Sequence, residues 1–128
     1  MVFFKKRKKE KKITNELPKA PNKEDLMIEI EKAEKLLENA NENNKIEILN
    51  QLGKLYFEAG EIDQAINYYE LSISENKTIG QANNELLKLY NIKRKEAIDQ
   101  KRDSDVQLYL KKIDELLKLS KDIIRGKA

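Results

Sequence analysis

The chain has 128 residues, of which 38% are charged and 39% hydrophobic, and it contains 0 His and 0 Cys. This length fits one domain with a single modest core. The lack of cysteine excludes disulfides, thiolate metal sites and cysteine nucleophiles, and the lack of histidine removes the commonest general base and metal ligand. We therefore expect a non-catalytic protein without a metal ion or other cofactor.

The N-terminal segment, residues 1–22, is strongly basic. It holds eight Lys/Arg against two Glu, a net charge of +6, so the remaining residues carry −3 of the total of +3. Like-charge repulsion and the prolines at 18 and 21 predict a disordered tail. The sequence has no apolar run long enough for a secretory signal or a membrane span. We expect a cytoplasmic protein, and the excess of Lys, Asn and Ile hints at an AT-rich bacterial genome.

The basic tail leaves three roles open. Seven of its eight cationic residues cluster within residues 5–12: Lys5, Lys6, Arg7, Lys8, Lys9, Lys11 and Lys12. The plainest role is a solubilising end. An anionic membrane is the next, because Val2, Phe3 and Phe4 would insert at the interface while the cations meet lipid headgroups, which would make the protein peripheral at the inner face of the membrane. Nucleic acid ranks below the membrane, and it would bind without sequence preference.

Apolar periodicity predicts an all-α domain over residues 23–128, with helices near 23–40, 45–59, 63–75, 79–101 and 105–125. Asn22 is the predicted N-cap of the first helix. Gly60 is expected to close the second helix in a left-handed conformation. Ser104, three residues before Gln107, predicts a capping box for the last helix.

A repeat of 34 residues organises this domain. Five of the seven residue types in 50–56 recur in 84–90. The first copy belongs to a longer pattern, Leu49-x2-Leu52-Gly53-x2-Tyr56, then Gly60, then Ala65-x3-Tyr69. It resembles the tetratricopeptide repeat family. The resemblance covers residues 33–124 and is strongest over 46–76; it implies antiparallel helix hairpins stacked as a short superhelix that binds proteins.

The two ends of the repeat depart from the family pattern. The spacing Ala33-x3-Leu37-x2-Ala40 resembles the second helix of a hairpin, so the first helix is expected to cap the stack as half a repeat. After Tyr90 the match fades, and the fourth helix is expected to continue into an elongated terminal hairpin. Three apolar residues of the last helix are expected either to complete the core or to form a dimer seam: Leu116, Leu119 and Ile123.

The repeat also places six residues on one flank of the second and fourth predicted helices. These are Asn50, Lys54 and Phe57, and one repeat later Asn84, Lys88 and Asn91. This flank resembles the wall of the concave groove in tetratricopeptide proteins. The resemblance implies a peptide held by amide hydrogen bonds, a lysine–carboxylate pair and an apolar contact. The alternative is that Asn and Lys, both abundant here, coincide by composition. The sequence thus predicts an adaptor that docks a peptide or partner protein, with an accessory role for the tail on nucleic acid or membrane as the alternative function.

Overall fold

The computed structural model describes residues 22–75 and 81–125. They form α1 (Lys23–Glu38), α2 (Lys45–Glu58), α3 (Ile62–Glu75), α4 (Gln81–Asp99) and α5 (Asp103–Ile124). Each helix packs antiparallel to the next one in the chain. The predicted all-α fold of five helices is confirmed, with ends that differ from the predicted ones by up to two residues. The predicted tail lies outside the described residues, apart from Asn22.

Polar side chains define the first helix and the turn after it. The Asn22 side chain accepts a hydrogen bond from the backbone N–H of Asp25 at 2.8 Å, which confirms the predicted cap. After Glu38, the Asn41 side chain accepts from the backbone N–H of Asn43 at 2.8 Å. The Asn44 side chain accepts from the N–H of Asn41 at 3.0 Å. These bonds satisfy backbone donors that no longer belong to a helix, so α1 ends two residues before its predicted limit.

The chain reverses after α2 and after α4 with the same backbone geometry. Gly60 has φ +81°, as predicted, and the N–H of Glu61 donates to the carbonyl of Tyr56 at 2.9 Å. Lys101 has φ +57°, and the N–H of Arg102 donates to the carbonyl of Ala97 at 2.9 Å. Both are left-handed helix closures. The second was not predicted, because a lysine gives no signal for this conformation.

The predicted capping box of the last helix is wrong. Helix α5 begins at Asp103, and Arg102, which makes no side-chain cap bond, occupies the N-cap position. The closure at Lys101 leaves a single residue before α5, and the carbonyl of Arg102 already accepts the N–H of Asp105 at 3.1 Å. Ser104 therefore lies inside the first turn. The Arg102 guanidinium instead pairs with the carboxylate of Asp105 at 3.2 Å.

Two apolar clusters hold the helices together. The smaller one joins α1 and α2 through Ile30, Ala33, Ile48 and Leu52. The larger one joins α3, α4 and α5 through Ala65, Ile66, Tyr69, Ala82, Leu86, Leu89, Tyr90 and Leu116. Helices α2 and α3 meet closely at Gly53, where a Cβ atom would lie 2.7 Å from the Tyr69 ring. This close approach leaves room for glycine alone at position 53. Within residues 22–75 and 81–125, the helices are too short or too polar to cross a membrane.

Candidate functional site

A groove of about 510 Å³ is lined by residues of α1 and α2. Its walls are Leu36 of α1, Asn44, and the α2 residues Glu47, Ile48, Asn50, Gln51 and Lys54. Two residues of the predicted site, Asn50 and Lys54, therefore lie in one groove. They are one helical turn apart, so their side chains project from the same side of the helix.

Three groups give the groove its chemistry. The Lys54 side chain is exposed, which leaves its ammonium group available to a ligand. Asn50 is half-buried; its Oδ1 atom is buried and has no hydrogen-bond partner among the described residues. Leu36 is 58% exposed and supplies apolar surface. The groove thus combines a cation, an amide and an apolar contact on neighbouring helices.

The other four predicted residues do not line this groove. Phe57 is half-buried and packs against the larger core cluster. Lys88 forms an ion pair with Glu85 of its own helix at 3.2 Å.

Asn84 is exposed on α4. The Asn91 amide donates to the backbone carbonyl of Leu87 at 3.0 Å and accepts from Arg94 at 3.1 Å. The structure therefore brings together the α2 pair of the predicted site, whereas Lys88 and Asn91 on α4 make local contacts. The seven cationic residues of the predicted tail site lie outside the described residues.

Tyrosine–carboxylate hydrogen bonds between helices are a feature that the sequence reasoning missed. The Tyr56 hydroxyl donates to Glu34 Oε2 at 2.8 Å and the Tyr68 hydroxyl donates to the same oxygen at 3.2 Å. The two rings stack with centroids 5.5 Å apart. Burial and the bond to Glu34 raise the pKa of Tyr56 to about 12. Both hydroxyls therefore remain protonated donors at neutral pH.

A second carboxylate has the same role one repeat later. The Tyr90 hydroxyl donates to Glu70 Oε2, and the Lys112 ammonium group of α5 donates to that oxygen at 3.0 Å. Burial and the bond to Glu70 raise the pKa of Tyr90 far above its usual range. Glu70 thus ties α3 to both α4 and α5. The sequence signal for these tyrosine–carboxylate bonds was that Tyr56 recurs as Tyr90.

A smaller cavity of about 270 Å³ lies beside Glu70. Its walls are Glu70, Ile73, Leu86, Tyr90, Lys112, Glu115, Leu116 and Leu119. Of the three apolar α5 residues singled out from the sequence, Leu116 is in the core, and Leu119 and Ile123 are half-buried. Within residues 22–75 and 81–125, acidic side chains do not gather in groups of three that would hold a metal ion.

Comparisons with protein-family models, curated proteins and solved structures find no match for this chain. The resemblance to tetratricopeptide repeats therefore depends on the residues and packing of the chain itself. What the structure establishes is a small all-helical protein of five described helices.

Proposed function

We propose that the chain is a divergent tetratricopeptide-like adaptor that docks an extended peptide of a partner protein in the groove along α2. The observation that carries the proposal is that Asn50 and Lys54 line one groove with exposed Leu36. The repeat had marked the two polar residues independently of the structure. Packing does not require either of them, because the buried face of α2 is formed by other residues, among them Leu49 and Leu52.

The groove favours a peptide with a carboxylate followed by an apolar side chain. The Lys54 ammonium group would pair with the carboxylate, and the Asn50 Nδ2 group would donate to a backbone carbonyl of the peptide, since the Oδ1 atom is buried. Leu36 would contact the apolar side chain. Glu47 in the same groove disfavours a second acidic residue near it. The volume of about 510 Å³ lies within the range of known ligand sites.

The tetratricopeptide-like architecture is supported by the contacts that the repeat residues make. Gly53 lies against Tyr69, Gly60 closes α2, and Ala65 is fully buried in the core. Tyr56 and Tyr90, which are 34 residues apart, each donate to a glutamate of the preceding odd-numbered helix. Equivalent residues thus have equivalent roles in successive hairpins.

A site-specific photocrosslinker tests the location of binding. The exposed side chain of Gln51 lines the groove, so we would replace it with benzoylphenylalanine and irradiate the protein in extracts of its native cell. We expect a discrete adduct that excess unmodified protein removes by competition. The same crosslinker at exposed Asn67 of α3 is the control. Equal adducts at both positions, or none at Gln51, would contradict the proposal.

Alanine variants test the chemistry once the adduct is identified. Lys54→Ala should weaken binding of that peptide about tenfold to a hundredfold, because a charge-assisted hydrogen bond contributes about 1.5–3 kcal/mol. Lys88→Ala should leave binding unchanged, since Lys88 does not line the groove and is paired with Glu85. Circular dichroism would confirm that both variants are folded. Unchanged affinity for Lys54→Ala would refute the lysine–carboxylate pair.

The basic tail supports a second function, an accessory role at an anionic membrane or on nucleic acid. Residues 1–22 carry +6 while the rest of the chain carries −3. Attraction to phosphate would therefore come from the tail and not from the helices. In that case the loss of residues 1–12 would abolish binding, whereas Lys54→Ala would leave it unchanged.

A further inference from the structure

A small cavity lies on the flank of α1 that is turned away from Leu36. It has a volume of about 250 Å³, and its walls are Met27, Ile28, Ile30, Glu31, Glu34 and Tyr56. Met27 and Ile28 are 49% and 51% exposed, so the cavity offers apolar surface to a partner. Met27 lies about 180° around the helix axis from Leu36, which makes this α1 cavity separate from the groove of Asn50 and Lys54. Its volume is below the roughly 300–1,000 Å³ of sites for free ligands, so it fits one or two side chains of a docked segment.

The wall of the α1 cavity is acidic. The described residues that line it include two carboxylates, Glu31 and Glu34, and no lysine or arginine. The groove along α2 and the cavity beside Glu70 each contain a lysine. Hydrogen bonds from Tyr56 and Tyr68 hold the Glu34 carboxylate in place, and Glu31 is exposed. The α1 cavity therefore suits an apolar side chain that is followed by cations.

We propose that the occupant of the α1 cavity is the apolar end of the chain's own N-terminal tail, residues 2–4, with the cations of residues 5–12 beside Glu31. The tail has the matching order of residue types, because Val2, Phe3 and Phe4 directly precede the seven clustered cations. Phe3 and Phe4 contact Met27 and Ile28 in this arrangement.

The distribution of charge along the chain selects α1 as the surface for the tail. Helix α1 contains three lysines against six acidic residues, a net charge of −3. Residues 39–128 contain 15 basic and 15 acidic residues, so their net charge is zero. The whole acidic excess that faces the tail's +6 therefore belongs to α1. Opposite charges attract, and none of the other four helices lies in a segment with a net charge to compete.

The tail is long enough and is attached close to the cavity. Phe4 is 18 residues from Asn22, a stretch that spans up to about 60 Å when extended. The cavity residues of α1 lie only about 8–18 Å beyond Asn22 along the helix axis. A tethered segment meets a nearby site at an effective concentration of about 1 mM. A separate protein of the same chemistry, present at about 1 µM, would have to bind about a thousandfold more tightly to displace it.

A docked tail holds its cations against α1, where they are less available to an anionic membrane or to nucleic acid. The contact therefore opposes the accessory function proposed for the tail. Docking is measured within the chain alone, so its outcome does not depend on that function or on peptide binding along α2.

A single tryptophan reports the docking, because the chain contains 0 Trp. In a Phe4→Trp chain we expect tryptophan emission at shorter wavelength, and weaker quenching by acrylamide, than in the isolated peptide of residues 1–22 with the same change. The emission should not depend on protein concentration. Emission equal to that of the peptide would overturn the proposal. A blue shift that grows with concentration would place the tail on a second copy and would overturn it as well.

Charge reversal tests the position of the cations. Glu31→Lys in the Phe4→Trp chain should lower the docking equilibrium about tenfold and shift the emission towards that of the peptide, because an attraction becomes a repulsion at a partly exposed site. Glu29→Lys is the matched control, since Glu29 is exposed on the same helix but lies about 160° away from Glu31 around the axis. It should shift the emission much less. Equal shifts, or no shift with Glu31→Lys, would refute docking in the cavity.

Met27→Gln tests the apolar wall, with circular dichroism to confirm that the variant is folded. It should move the emission of the Phe4→Trp chain towards that of the peptide, because a polar side chain replaces the surface that the aromatic end contacts. Leu108→Gln is the control, since Leu108 is 43% exposed but belongs to α5. This change should leave the emission as it was. If Met27→Gln has no larger effect than Leu108→Gln, the aromatic end of the tail does not occupy the α1 cavity.

Discussion

Gly53→Ala is the sharpest test of the packing between α2 and α3. A Cβ atom at this position would lie 2.7 Å from Cε2 and 2.8 Å from Cδ2 and Cζ of Tyr69. Carbon atoms do not approach this closely, so the ring or the helix must move. The Tyr69 ring is fully buried and has no solvent to move into. The added methyl group therefore overpacks the interface.

Two opposing effects set the size of the change. Alanine stabilises a helix interior by about 1 kcal/mol relative to glycine. Overpacking costs about 1–3 kcal/mol, and three contacts below 3.0 Å to a rigid ring put this site near the upper end. We expect Gly53→Ala to lower the free energy of unfolding by about 2 kcal/mol. In urea, the midpoint should fall by about 1–2 M.

Urea unfolding followed by circular dichroism measures the change, and a second background isolates its cause. In a Tyr69→Leu chain the clash is relieved, so Gly53→Ala should be neutral or stabilising there. Gly60→Ala is the control, because its φ of +81° is unfavourable for alanine and no atom lies within 4 Å of the added Cβ. Its cost should be the same in both backgrounds. An unchanged or higher midpoint for Gly53→Ala in the unmodified chain would refute the close approach.

Three further measurements probe the tyrosines and the tail. The buried Tyr69 hydroxyl has no hydrogen-bond partner among the described residues, so urea unfolding should show that Tyr69→Phe is neutral or stabilising. The Tyr90 hydroxyl donates to Glu70, so Tyr90→Phe should lower the free energy of unfolding by about 1 kcal/mol. The pKa of Tyr56 rises from 10.0 to about 12 on folding, so the unfolded chain loses its proton first and stability should fall as pH rises through this window. Tyr56→Phe should make that decline shallower, and an unchanged slope would contradict the assignment. For the tail, co-sedimentation with anionic vesicles should require residues 1–12, and binding that survives their deletion would exclude the tail as the membrane contact.

The sequence predicts the fold wherever a local signal coincides with the tertiary contact. Asn22 caps α1 because its short side chain reaches the first-turn N–H groups, and that geometry needs nothing from the rest of the chain. Gly60 reverses the chain because glycine adopts positive φ at little cost. Lys101 makes the same reversal without glycine, so nothing in its side chain marks the end of α4. The wrong start of α5 follows from that, since a cap is determined by where the preceding helix stops.

The sequence predicted the residues that α2 contributes to the groove but not those of the opposite wall. A repeat shows which residues occupy equivalent positions on successive helices, and it correctly put Asn50 and Lys54 on one face. It does not show which neighbouring helix forms the opposite wall. That wall includes Leu36, which lies outside the buried stripe of α1. The sequence signal for this wall was Leu36, an apolar residue that lies outside the buried face of α1.

The tyrosine acceptors show why polar contacts between helices escape a search for repeats. Tyr56 and Tyr90 are 34 residues apart, but their acceptors, Glu34 and Glu70, are separated by 36. A carboxylate has several rotamers and can meet the same hydroxyl from neighbouring turns of its helix, so its position is less constrained than that of a packed ring. The donor therefore keeps the period and the acceptor does not. α1 thus supplies to α2 the same kind of contact that α3 supplies to α4.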